Sequence, residues 1–99
     1  MNGLARYRRS TRALTRTVGD VVLIAIPERE GFEKLDGTSS VAWHLLEEPQ
    51  TAPELIDELA RIYGVAATEV AGPVSNMLEV FAARGLVEVA QGAEVGNDG

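Results

Sequence analysis

A chain of 99 residues suits one domain with one modest core, burying about 60–70% of its unfolded surface. With no cysteine and one histidine, it has neither a disulfide framework nor thiolate metal sites. The net charge is −6, yet Arg6, Arg8, Arg9, Arg12 and Arg16 gather ahead of a strongly acidic remainder that repels nucleic acid.

Residues 1–11 lack apolar periodicity and read as a flexible, solvated basic arm, with no apolar segment that would make a signal peptide. Ala13 to Val18 forms a strand, and Gly19-Asp20 supplies the turn of a short hairpin. Val21 to Ile26 is β-branched and apolar on both faces. That pattern fits a central strand covered on both sides, or covered on one side and packed on a partner through the other. The run is too short to span a bilayer. Pro27 ends it, and Phe32 to Leu35 makes a short third strand. The result is a three-stranded antiparallel meander with one edge open.

Asp36 is a good N-cap for a helix reaching Glu48, with Ala42, Leu45 and Leu46 as its core stripe and Ser39 and Trp43 flanking it. Pro49 stops that helix. Thr51 and Glu54 form a capping box with Pro53 in the first turn, and Leu55, Ile56, Leu59 and Ile62 repeat at helical spacing up to Gly64. A third helix runs from Ala67 or Thr68 to about Arg84, ended by Gly85. Pro73 within it costs about 3 kcal/mol unless the helix bends or starts later. Leu86 to Val89 returns as a short extended piece, and Gln91 to Gly99 reads as a disordered tail.

In the third helix Ala71, Val74, Leu78 and Phe81 share one arc, while Val70, Pro73, Met77 and Val80 share the adjoining one. Together they cover roughly 180°, against the ~100° a surface helix needs to face a core. The second arc either lines one wall of a groove or extends the core against the sheet. The opposite wall of a groove is the third strand, whose open edge can capture an extended peptide by main-chain pairing. Glu33 and Lys34 serve equally well there as gatekeepers against aggregation.

No catalytic constellation is present. His44 has no second ligand for a metal, Ser39 and Ser40 have no His–Asp partners, and the Glu47-Glu48 and Asp57-Glu58 pairs read as solvated helix faces. No cofactor is implied.

The ordered series Leu35-Asp36, Val41-Ala42-Trp43-x-Leu45-Leu46, Thr51-x-x-Glu54-Leu55 and Arg84-Gly85-Leu86-Val87 resembles the PqqD-like family, the RiPP recognition elements that bind precursor leader peptides. The resemblance covers roughly Val18 to Val89. Asp20, where a second turn glycine is common, and Pro73 depart from the pattern. The resemblance implies an α+β fold like a winged helix-turn-helix, with a three-stranded antiparallel sheet packed on three α-helices over residues 12–90. It implies a non-enzymatic adaptor that takes the leader as an added β-strand. Phe32, Glu33, Lys34 and Leu35 would pair with its backbone, and Val70, Pro73, Val74, Met77 and Phe81 would contact its apolar side chains.

The short, stand-alone chain resembles the leader-binding B subunit of split lasso-peptide systems. That likeness implies a cytoplasmic protein working with a separate leader peptidase and a macrolactam cyclase, without membrane or nucleic acid. It would be a monomer, or a weak homodimer through the sheet edge. The alternatives are a peptide chaperone of another RiPP pathway and a winged-helix DNA-binding regulator. The third helix opposes the latter, offering Asn76 and Arg84 to DNA against Glu69 and Glu79.

Overall fold

The computed structural model describes residues 5–90. In chain order these form β1 (Arg6–Arg9), β2 (Leu14–Val18), β3 (Val21–Ala25), β4 (Glu33–Leu35), α1 (Gly37–Leu45), β5 (Gln50–Thr51), α2 (Ala52–Tyr63), α3 (Ala67–Ala83) and β6 (Val87–Ala90). The proposed tail lies outside the described residues, as do the first four residues of the proposed arm.

The hairpin follows from its turn. Gly19 takes φ +61° while Asp20 stays at negative φ, so a glycine is needed only at the first turn position, as in a type II′ turn. The strands then pair from Val18↔Val21 to Leu14↔Ala25. On the far side β3 pairs with β4, Val22 opposite Leu35 and Ile24 opposite Glu33. This β2-β3-β4 meander is the expected three-stranded sheet. Alternation along β3 buries Val22 and Ile24, and leaves Val21, Leu23 and Ala25 half-buried on the outer face. Of the two sequence options for β3, the single covered side is the one observed.

A second sheet, of order β5-β1-β6, was not expected. Residues 6–9 of the basic arm are its central strand, paired antiparallel with β6 (Arg6↔Ala90 to Arg9↔Val87) and with β5. Besides these ladders and the packing of Tyr7 on the core, side-chain bonds from the arginines tie the arm down. Arg6 bonds Glu54 at 3.0 Å and Arg8 bonds Glu88 at 3.1 Å. Arg9 donates from Nε and Nη2 to the Trp43 carbonyl at 3.0 and 2.7 Å, with its guanidinium 4.9 Å from the Trp43 ring centre.

The helices carry the core. The capping box of α2 is complete: Glu54 N–H donates to Thr51 Oγ1 at 3.2 Å, and Thr51 N–H donates to Glu54 Oε1 at 2.9 Å. Gly64 ends the helix in the left-handed region. Leu55 and Leu59 are fully buried beside Trp43, Leu46, Val74 and Leu78. Two details of α1 differ from expectation. The helix ends at Leu45 rather than Glu48, and Asp36, although the N-cap residue, makes no side-chain bond. Leu45 of the expected stripe is half-buried against the core, and Trp43 is fully buried as one of its anchors. Its ring meets Phe81 edge-on, 6.2 Å between centres at 82°. α3 starts at Ala67 and continues through Pro73. Gly72, which has no Cβ to meet the proline ring, precedes it, and nothing lies within 4 Å of where a Cβ would sit.

Candidate functional site

The chemistry of the site starts in the backbone of β4. A two-residue turn makes Val18–Val21 a hydrogen-bonded pair, and antiparallel pairing then alternates along β3. The backbone groups of Val22 and Ile24 therefore point at β4, where Leu35 and Glu33 receive them. Lys34, between those two, aims its own N–H and C=O away from the sheet. Among the described residues no strand lies beyond β4 in this sheet.

The vacant edge faces α3 across a cleft of 440 Å³, floored by Leu35, Phe81 and Leu86 and walled on the helix side by Pro73, Met77 and Val80. Leu86 and Phe81 are at most 3% exposed, whereas Val80 is 45% exposed. The floor is thus packed core and the rim is apolar surface in contact with water. Ser39 and Asn76 add neutral polar groups, and Glu33 and Arg84 close one end through an ion pair of 2.6 Å.

Of the residues marked from sequence, Glu33, Lys34, Leu35, Pro73, Met77 and Phe81 line this cleft. Val74 is 1% exposed and belongs to the core, and Val70 is half-buried against that core. On the helix wheel Val74 lies with the inward arc, which fits its burial. Phe32 precedes β4 and is 67% exposed. It lines a separate hollow of 340 Å³ with Leu14, Leu23 and Ala25 on the outer face of the sheet. Val80 belongs to the surplus apolar arc. Ser39, Asn76, Arg84 and Leu86 went unmarked, and only the position of Asn76 and Arg84 on the third helix signalled them.

Chemically the cleft offers one row of main-chain donors and acceptors beside an apolar wall, with charge confined to one end. Such a surface binds an extended chain, with the edge providing affinity and the wall selecting side chains. Among the described residues there is no group of three or more His, Asp or Glu that could hold a metal ion, and no helix is long and apolar enough to cross a membrane.

The fold and site define a class: a small α+β domain of three helices with a strand edge left open beside the last helix. The family model for coenzyme PQQ synthesis protein D (PqqD) matches residues 21–87, and the chain belongs to that family. Among solved structures it is similar to TbiB1 in complex with the TbiA(β) leader peptide, with a TM-score of 0.75 and 25% identity. That match covers 82% of this chain and 94% of the other. No curated protein sequence gives a significant match.

Proposed function

We propose that this chain is a non-catalytic adaptor. It binds the leader segment of a ribosomally made precursor peptide as an added strand on β4 and presents the remainder of the precursor to maturation enzymes. The observation that carries the reading is the unpaired backbone of Lys34 facing the apolar wall of Pro73, Met77 and Val80. Membership of the PqqD family and likeness to a leader-peptide complex support it. The pathway we favour is lasso-peptide maturation, with a separate leader peptidase and a macrolactam cyclase as partners in the cytoplasm. A RiPP pathway of another type would use the same groove. In the absence of leader the chain is a monomer, or a weak homodimer through the same edge.

The DNA-reading alternative loses ground on Arg84. The C-terminal end of α3 brings Arg84 to the groove with Glu33 beside it, and Glu69 and Glu79 on the exposed surface of α3 oppose phosphate.

The test is a fluorescence-anisotropy titration of the full chain with a labelled synthetic leader from the adjacent precursor gene, against a scrambled leader. Saturable binding of the native leader alone is expected. Met77→Glu, which places a charge on the apolar wall, is expected to weaken binding at least about tenfold while the circular-dichroism melt is retained. Equal binding of the two leaders would overturn the proposal, and unchanged affinity in Met77→Glu would overturn the groove.

A further inference from the structure

The two walls of the groove are joined by charge at one end. Glu33 on β4 and Arg84 just beyond α3 meet there, Nη1 to Oε1 at 2.6 Å. The Arg84 carbonyl accepts a bond of 2.5 Å from Arg29 Nη1. Arg29 lies over Gly85, its Nη2 3.1 Å from where a Cβ would sit, and shares a small hollow with Glu33. Glu33 thus stands between Arg84 in the cleft and Arg29 in the hollow beside it, which Glu30 also lines, with Lys34 next along the strand. With Arg29, Lys34 and Arg84 against Glu30 and Glu33, this end keeps a small positive excess in a chain of net charge −6.

The ion pair is also easy to exchange. The Arg84 side chain is 55% exposed and that of Glu33 31%, so water screens their attraction and breaking it costs little. Apart from this end and Lys34, the cleft is lined by neutral side chains. A peptide strand along Lys34 runs beside Glu33 and Arg84, with Arg29 in the hollow next to them.

We propose that the groove selects a peptide with an aspartate or glutamate at the position that reaches the C-terminal end of α3. Its carboxylate takes Arg84 from Glu33, beside the positive charge of Arg29, a charge-assisted bond that a neutral side chain does not reproduce. Glu33 is the placeholder that holds Arg84 across the groove while it is empty. A basic side chain at that position meets two like charges and is refused. The inference rests on the peptide-binding reading of the groove and adds the charge of the ligand.

The experiment is selection of a randomised peptide library, displayed on phage, on the wild-type chain, followed by titration of the best peptide and its carboxamide counterpart against wild type, Arg84→Gln and Glu33→Gln. Wild type is expected to enrich an acidic residue at a fixed offset from apolar ones, and to bind the acidic peptide about tenfold tighter than the amide. Arg84→Gln should bind the two within about twofold of each other, and Glu33→Gln should bind the acidic peptide more tightly than wild type does. Apolar enrichment without an acidic preference, or a preference that survives Arg84→Gln, overturns the charge selection and leaves peptide binding standing. Failure to enrich any peptide, together with failure to bind the native leader, overturns both.

Discussion

Arg9 carries the sharpest stability prediction, because it decides whether the N-terminal segment belongs to the fold. Its guanidinium makes two donations to the Trp43 carbonyl, near the C-terminal end of α1, and lies over the Trp43 ring. Net of water, the two bonds to one half-shielded carbonyl contribute about 1.5 kcal/mol, the low end for a charged donor. Stacking at a partly exposed site adds about 0.5–1 kcal/mol. Arg9→Ala therefore costs about 2 kcal/mol, and at 4–8 °C per kcal/mol for a domain of this size the melting temperature falls by about 8–16 °C. Arg9→Met keeps the apolar stem over the ring and is expected to recover less than half of that. Differential scanning calorimetry on both variants gives the answer, and near-ultraviolet circular dichroism reports whether the Trp43 environment loosens. A melting temperature for Arg9→Ala within about 2 °C of wild type would mean that the Arg9 clasp on Trp43 contributes almost nothing to stability, against an expected loss several-fold larger.

Lys34→Pro removes an edge donor without touching the β3–β4 ladder, in a strand where proline is tolerated. The expected outcome is a near-native melt with leader affinity at least about tenfold weaker by anisotropy. Thr51→Ala breaks the capping box and costs about 1 kcal/mol, read as a melting-temperature drop of about 4–8 °C that Thr51→Ser mostly avoids. The carboxyl of Glu54 lies below its ordinary value of 4.5, first through the Thr51 N–H, and that of Glu88 does so first through the Thr11 N–H. With folded-state values depressed, their stabilisation is complete above the unfolded value and is lost as pH falls through the folded ones. Melts should hold steady from neutrality down to about pH 5 and decline below 4.5. Glu88→Gln should flatten part of that decline.

What was legible in the chain was local. Gly19 declared the hairpin, and Thr51, Pro53, Glu54 and Gly64 declared both ends of α2, because each acts within a few residues of itself. The apolar excess of α3 was visible in its wheel, and most of the cleft follows from it. Strand β1 was hidden because its partners lie at the other end of the chain, with Arg9 opposite Val87, and because alternation of Arg6, Tyr7, Arg8 and Arg9 resembles a solvated charge run. Tyr7 and Arg9 are half-buried and Arg6 and Arg8 exposed, a period of two written in an unusual alphabet. Arg84 escaped notice since only tertiary folding brings Glu33 to it. Phe32 falls one position ahead of β4, a boundary that no local signal in the sequence fixes.

The pairing of β1 with β6 also governs how the domain yields to force. The ladder has Arg6–Ala90 at its outer end and Arg9–Val87 at its inner end, so both ends of the described chain leave from the same side. Pulling them apart loads one pair at a time, in the manner of a zipper, and never the whole ladder in shear. Arg6 and Arg8, with their carboxylate partners, are the first teeth to part, and the Arg9–Trp43 clasp is the last before the core is exposed. Two ends pulled apart therefore meet the Arg9–Trp43 clasp only after the outer pairs of this ladder have opened.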